Sequence, residues 1–239
     1  MTNQLKSFNF TQTQAAKLCE MQDKLNSYIH PQWKEQNFAW DLAIIDECME
    51  IHGHLGWKWW KKDYKVGLTE ANRKQVQLEV IDILHFVLSD WLESGRDYYL
   101  SESLNQPQDA EGNPTVNDLI YAASAGANYE YVGYLVRLAH QVGLTQQQIM
   151  ETYTQKYVLN KFRQDHGYKT GEYVKEWVQE IDVGLIAGEL SSCKLKVTKE
   201  DNEVLTDIVH DIDSDGEDTT DEVELYKRLE QAYNSRLNQ

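Results

Sequence analysis

QVQLEVIDILHFVLSDW, residues 75–91, is the part of the chain that most strongly indicates its fold. Wound as a helix, it carries apolar side chains on nearly every side, which predicts a helix buried on most of its surface. Two acids, Glu79 and Asp82, interrupt the apolar run three residues apart. A buried carboxylate protonates unless it is paired or binds a metal ion, because an isolated buried charge is very costly. The stretch therefore indicates a helical core and a chemical role for its acids.

The same spacing of acids occurs earlier, in IIDECMEIHGHLGWKWWKK (44–62), as Glu47 and Glu50. Residues three apart share one face of a helix, and a short connection allows the two helices to pack antiparallel, so all four acids can meet. Four oxygen ligands suit Mg²⁺ or Mn²⁺, and such ions can activate water and neutralise a phosphate. In the alternative interpretation, the first pair faces solvent and the second pairs with Lys or Arg. The predicted metal ligands are Glu47, Glu50, Glu79 and Asp82.

The composition is that of a globular protein, and it argues against some partners. Of the 239 residues 41% are hydrophobic, and the net charge is −16. Because a surface that coats DNA or RNA needs a basic patch, we do not expect nucleic acid as a partner. MTNQLKSFNF at the N-terminus lacks the apolar core of a signal peptide, and no apolar run is long enough for a membrane span. Cys19, Cys48 and Cys193 show no CxxC spacing, which favours a reducing, cytoplasmic location.

Apolar residues at helical spacing run through most of the chain, and we predict an all-α protein. From Glu200 to Glu224 there are twelve acids and no Lys or Arg, which indicates a segment of different character. The predicted domains are an all-α body, residues 1–210, and an acidic loop with a C-terminal helix, residues 211–239. The predicted helices cover residues 11–30, 38–54, 70–94, 115–142, 145–165, 171–181, 202–210 and 222–236.

Taken together, the motifs resemble those of a known family. ExxE, then WKWWK, then ExxD running into DILHF is similar to the pattern of the dimeric dUTPases in the all-α nucleoside triphosphate pyrophosphatase superfamily. KYVLNKFRQDHGYKTGEYVKEW (156–177), EDNEVL (200–205) and MQDKLN (21–26) resemble three further blocks of that family. The interval between Trp177 and Glu200 is longer than the family's. The resemblance covers most of residues 15–210 and implies a helical bundle that assembles as a homodimer.

The resemblance also implies an activity, the Mg²⁺-dependent hydrolysis of dUTP to dUMP and diphosphate, with dUDP as a second substrate. Glu47 or Glu50 would orient or deprotonate the attacking water. Arginine suits two-pronged contact with a phosphate, and lysine suits a point-charge contact. The predicted phosphate- and sugar-binding residues are Lys58, Lys61, Lys156, Asn160, Arg163, Tyr168 and Lys175.

Four further side chains are implied to hold the base and the deoxyribose. Gln22 and Asn26 match the family's uracil-reading pair, and an amide carries both a donor and an acceptor. Trp60 and Phe86 would pack against base and sugar. In the alternative interpretations the amides face solvent and the tryptophans of WKWW belong to the core. His85 is predicted to be a hydrogen-bonded neighbour rather than a ligand, and a preference for dCTP, or for dCTP and dUTP together, stays open.

DIDSDGEDTTDE (211–222) matches the spacing of an EF-hand calcium loop. Against calcium binding, the eighth position is Asp218 instead of an aliphatic residue, and the sequence has no second loop. A solvated acidic connector is the default interpretation. A non-enzymatic, calcium-responsive interaction protein is a further alternative, but it gives Glu79 and Asp82 no purpose. The candidate calcium ligands are Asp211, Asp213, Asp215 and Glu222.

Overall fold

The computed structural model describes residues 5–109, 111, 115–126, 130–182 and 194–236. Two compact units, residues 1–153 and 154–239, are built mainly from α-helices, and the predicted all-α fold is confirmed. The first unit contains α1 (Gln12–Ile29), α2 (Trp40–Leu55), α3 (Glu70–Glu93), α4 (Leu100–Leu104), α5 (Val116–Ser124), α6 (Glu130–Gln141) and the beginning of α7 (Gln146–Asp165).

Side chains just before α1 and α3 explain where these helices begin. The Thr11 hydroxyl accepts from the backbone N–H of Gln14, whose side chain accepts in return from the backbone of Thr11. Thr69 and Asn72 form the same reciprocal pair at the start of α3. Each pair satisfies backbone N–H groups that have no partner inside the helix.

α2 and α3 pack antiparallel, as the sequence predicts. Near one end of the pair, Trp40 Nε1 donates to Glu93 Oε2 at 3.0 Å. Near the other end, His54 Nε2 lies 3.1 Å from Glu79 Oε1. The predicted burial of α3 is confirmed, and its buried apolar residues are Val76, Leu78, Val80, Ile81, Ile83, Leu84, Val87, Leu88 and Trp91.

Two glycines in the left-handed conformation shape the connections of the first unit. Gly56 ends α2 at φ +75°, and a Cβ there would lie 1.9 Å from the carbonyl oxygen of Asp63, so the turn requires glycine. Gly126 follows α5 at φ +64°, a conformation that commonly ends helices. The single helix predicted over 115–142 is therefore wrong, because the chain forms α5 and α6 there.

Two of the three cysteines lie in the first unit as buried free thiols. Burial, aided by nearby carboxylates, raises the pKa of Cys19 and of Cys48 to about 12. Both thiols therefore stay protonated and act as small apolar side chains. Cys193 lies outside the described residues.

The second unit holds a two-stranded hairpin where the sequence analysis predicted a helix over 171–181. β1 (Glu176–Asp182) pairs antiparallel with β2 (Lys194–Glu200), so that Glu176 faces Glu200 and Asp182 faces Lys194. The helix prediction is wrong because a strand gains its hydrogen bonds from a distant partner, which local spacing does not reveal. α8 (Asp201–Ser214) and α9 (Glu222–Ser235) complete this unit.

An aromatic cluster forms the core of the second unit. The Phe162 ring of α7 lies 5.4 Å from each of the rings of Tyr226 and Tyr233 in α9, and 6.1 Å from the Trp177 ring of β1. α9 also buries Leu229 completely. The domain boundary predicted between residues 210 and 211 falls inside α8.

Candidate active site

Three of the four predicted metal ligands converge between α2 and α3. One carboxylate oxygen of each of Glu47, Glu50 and Glu79 lies within 4.8 Å of the others. Glu79 is buried at 8% exposure, whereas Glu50 is exposed and Glu47 is half-buried. Asp82 follows Glu79 on α3 and is half-buried, and it stands outside the group that these three described residues form. Three of the four acids therefore converge, and their binding of a metal ion stays a prediction.

His54 joins this carboxylate cluster, and the sequence analysis did not single it out. Its Nε2 lies 3.1 Å from Glu79 Oε1, and an ionised carboxylate can only accept, so the ring nitrogen donates. A signal was present in the sequence, because Glu47, Glu50 and His54 follow one another at spacings of three and four on α2. This contact holds one carboxylate oxygen of Glu79 in the cluster.

The chemistry of the carboxylate cluster fits a hard divalent cation. Carboxylates this close repel one another unless a proton or a cation lies between them. Oxygen is also the ligand type that Mg²⁺ and Mn²⁺ prefer. The predicted donor set and its local geometry are thus compatible with the cation that the sequence suggested.

The loop after α2 presents aromatic rings and lysines to solvent. Trp59 is 72% exposed and Trp60 is 57% exposed, so the alternative interpretation of these rings as core is wrong. Trp60 packs edge-to-face against both Trp57 and Trp59, with ring centroids 5.5 and 5.8 Å apart. Lys58 Nζ lies 5.7 Å from the Trp57 ring, and Lys61 is exposed. This loop offers flat apolar surface beside positive charge.

The predicted base-reading amides are buried, which neither interpretation of the sequence foresaw. Gln22 is 3% exposed and Asn26 is 8% exposed. They belong to a polar network with Ser89, His85 and Tyr153, and we call these five residues the amide network. His85 is a hydrogen-bonded neighbour, as predicted, and its ring stacks on Tyr153 at 4.1 Å.

Phe86 lies on α3 between Asp82 and Ser89. It is half-buried, and its ring centroid lies 6.4 Å from that of Trp40. This placement leaves part of the ring open, as the predicted packing against base or sugar requires.

Two predicted phosphate ligands of the second unit, Arg163 and Lys156, contact the EDN segment, and a third, Asn160, contacts Arg163. Arg163 donates through Nε and Nη2 to the two oxygens of Asp201, both at 2.8 Å, and through Nη1 to Asn160 Oδ1 at 3.0 Å. Lys156 is 1% exposed and donates to Asn202 Oδ1 at 3.1 Å. The match of EDN to the family pattern thus has a structural counterpart in these contacts.

Asp201, the acid that binds Arg163, is only 1% exposed. Burial alone raises the pKa of its carboxyl, but hydrogen bonds and charge from Arg163, the Tyr173 hydroxyl and the charge of Lys156 together lower that pKa below its usual value. Asp201 is therefore ionised at neutral pH and keeps the guanidinium in a fixed orientation.

Tyr168 and Lys175, the two remaining predicted ligands, are exposed on the same unit. Lys175 Nζ lies 5.5 Å from the Tyr168 ring. His166 stacks on Phe162 at 3.9 Å and donates from Nδ1 to the Phe162 carbonyl, which favours a structural role.

The candidate calcium loop differs from the geometry that an EF-hand needs. Asp211 and Asp213 belong to α8, whereas the ligands of such a loop lie on irregular backbone. The Arg228 guanidinium contacts Asp215 at 3.3 Å and Glu217 at 3.0 Å. Glu222 is the first residue of α9. A cationic side chain thus already lies among these acids.

None of the described helices is long and apolar enough to cross a bilayer.

Comparison with known proteins identifies the family. A search of curated proteins gave no match. A family model described as dUTPase matches residues 14–168, which include the carboxylate cluster, the aromatic loop and the amide network. The chain belongs to the dUTPase family and is a dUTP diphosphatase.

Proposed function

We propose that the chain hydrolyses dUTP to dUMP and diphosphate with Mg²⁺ bound by Glu47, Glu50, Glu79 and Asp82. The observation that carries this proposal is the approach of three carboxylates to within 4.8 Å of one another. Mn²⁺ has the same ligand preference and should substitute. The family resemblance adds dUDP as a second substrate.

Each side chain of the carboxylate cluster has a proposed part. When bound, divalent ions would offset phosphate charge and lower the pKa of a bound water. Glu79, fixed by His54, supplies a preorganised ligand oxygen on the rigid helix α3. Glu47 or Glu50 orients the attacking water or accepts its proton, and the exposed position of Glu50 leaves it accessible to water.

The substrate also needs contacts away from the reacting phosphate. Lys58 and Lys61 offer positive charge that a triphosphate would attract, although the net charge of the chain is −16. Trp60 and Phe86 supply apolar surface for base and sugar. Lys156, Asn160, Arg163, Tyr168 and Lys175 are proposed as phosphate and sugar ligands on the family resemblance alone.

Assembly and location extend the same proposal. We propose a homodimer, on the family resemblance, and light scattering coupled to gel filtration would measure its mass. A cytoplasmic location is proposed from the composition and is supported by the two free thiols, Cys19 and Cys48.

Diphosphate release from dUTP, dCTP, dTTP and UTP, with and without Mg²⁺, tests the activity. We expect turnover of dUTP in Mg²⁺ and its loss after chelation. Faster release from dCTP would support the alternative base preference and contradict the one proposed here. Equal release in the absence of divalent ions would contradict the metal dependence.

Glu50→Gln tests the carboxylate cluster directly. The substitution removes one negative ligand from an exposed side chain, so turnover should fall by at least about a thousandfold while the circular dichroism spectrum is unchanged. Asp46→Asn, at an exposed position on the same helix, is the matched control and should retain normal turnover. Near-normal activity of Glu50→Gln would show that the metal assignment is wrong.

A further inference from the structure

We propose that Ser89 is a positioning residue that fixes the orientation of the Gln22 and Asn26 amides and thereby makes the site select uracil over cytosine. The inference rests on the proposed function and on the family resemblance, which implies that Gln22 and Asn26 lie at the base. The donor and acceptor atoms of the amide network give each of its hydrogen bonds a direction.

Ser89 sets the polarity of the amide network. Its hydroxyl lies 2.9 Å from the carbonyl oxygen of His85, one turn earlier on α3, and a carbonyl can only accept. The single hydroxyl hydrogen is thereby used, and the oxygen can only accept from its other neighbours. These are Gln22 Nε2 at 3.0 Å and Asn26 Nδ2 at 2.9 Å. Ser89 is fully buried, so water does not replace these contacts.

Gln22 has no capacity left for a ligand. Its Nε2 donates one hydrogen to Ser89 and the other to Asn26 Oδ1 at 2.8 Å. Its Oε1 accepts from the Tyr153 hydroxyl at 2.6 Å and from His85 Nδ1 at 2.7 Å. The two hydrogens on Nε2 and the two lone pairs on Oε1 are thus all engaged in hydrogen bonds. Gln22 therefore orients Asn26 and does not itself contact a base in this conformation.

Asn26 retains one hydrogen and one lone pair. Within the described residues, its side chain gives one hydrogen to Ser89 and accepts one from Gln22. At 8% exposure it is also the most exposed member of the amide network. Its remaining donor and acceptor lie side by side on a single amide, which is the pattern that pairs with the edge of a pyrimidine.

The fixed Asn26 amide distinguishes uracil from cytosine at ring atom N3. Uracil presents an N3 hydrogen beside carbonyl oxygens, whereas cytosine presents an N3 lone pair beside an amino group. An amide that can turn over would serve either base. Turning Asn26 would place Oδ1 against the Ser89 oxygen and Nδ2 against Gln22 Nε2, so two hydrogen bonds would become two repulsive contacts. The locked orientation therefore accepts one base pattern and leaves the other unpaired.

The position of the amide network suits a base whose phosphates meet the carboxylate cluster. Glu79, Asp82, Phe86 and Ser89 follow one another at spacings of three and four, so they share one face of α3. Asp82 and Ser89 are seven residues apart, which corresponds to about 10 Å along the helix axis. A nucleotide can span such a distance, with Phe86 between its two ends.

Ser89→Ala tests the inference through substrate choice. The experiment measures kcat/KM for dUTP and for dCTP in the full-length Mg²⁺ enzyme. Loss of the serine acceptor removes one of the two contacts that hold the Asn26 amide, so the ratio of dUTP to dCTP should fall about tenfold, mainly through KM. Ser101→Ala removes another buried serine, which donates to the Phe10 carbonyl, and should leave the ratio unchanged.

The outcomes separate this inference from the proposed function. A wild type that hydrolyses neither nucleotide would overturn both, and one that prefers dCTP would overturn the assignment of uracil. A folded Ser89→Ala enzyme that keeps the wild-type ratio would overturn the inference alone. Should Ser89→Ala fail to fold, Tyr153→Phe decides, because it removes one donor to Gln22 Oε1 and should lower the ratio severalfold. An unchanged ratio in that variant would overturn the inference.

Discussion

Glu79 occupies an apolar helix because its side chain reaches a polar neighbourhood at the edge of the α2–α3 pair. Its carboxylate meets Glu47, Glu50 and His54 instead of the aliphatic core that surrounds α3. Periodicity could predict the meeting of the glutamates, since each pair shares a helix face and the helices are neighbours along the chain. It could not predict how closely each acid approaches the others, because that depends on the rotation and the crossing of two helices.

The sequence also could not predict the burial of Gln22 and Asn26, because that burial too depends on the tertiary fold. Polar residues on an amphipathic helix normally face water. Here their partners are Ser89, 67 and 63 residues away, and Tyr153, 131 residues from Gln22. Only the tertiary fold reveals whether such partners converge. Hydrogen bonds to these partners offset the free-energy cost of burying an amide.

At the residue scale, Asp201→Asn should destabilise the second unit. It breaks a buried pair and leaves the Arg163 charge without its partner, which typically costs about 3–5 kcal/mol. The folded pKa of Asp201 lies below its ordinary value of 3.8, so its contribution is present at higher pH and is lost as the pH falls through the folded pKa.

Urea unfolding of both proteins across a pH series measures this contribution. The difference in unfolding free energy between wild type and Asp201→Asn should stay constant from about pH 8 to pH 5, and should narrow only below about pH 4. A difference that vanished near neutral pH would contradict the ion pair.

At the scale of elements, β1 and β2 show where helix prediction fails. Polar and apolar residues alternate at LKV in the β2 segment KLKVTKE. The backbone hydrogen bonds that make β1 a strand come only from its pairing with that segment. The family resemblance indicates that the interval between Trp177 and Glu200 is longer than usual. It does not indicate how that interval folds. Of that interval, residues 178–182 and 194–199 are strand, and 183–193 lie outside the described residues.

α9 is expected to stabilise the second unit because it covers the aromatic cluster. Leu229 is completely buried, so Leu229→Ala should lower the unfolding free energy by about 2–5 kcal/mol, as measured by urea titration. Val223→Ala on the same helix is the control, since Val223 is 77% exposed and should change stability by less than about 0.5 kcal/mol. Equal effects of the two substitutions would contradict the packing of α9.

At the scale of the whole molecule, a chain of net charge −16 must act on a substrate that is itself strongly negative. Lysines beside the exposed tryptophans offset part of this repulsion locally. The carboxylate cluster adds to the repulsion unless cations occupy it, so the proposed activity depends on divalent ions that bind there.

Manganese binding, followed by electron paramagnetic resonance of the free ion, tests that dependence most directly because it needs no turnover. The full-length protein should bind Mn²⁺, and Glu79→Gln should weaken binding by at least about tenfold, since it removes a buried ligand charge. Glu70→Gln, at an exposed acid in the first turn of the same helix, should bind as the wild type does. Unaltered Mn²⁺ affinity in Glu79→Gln would contradict the account.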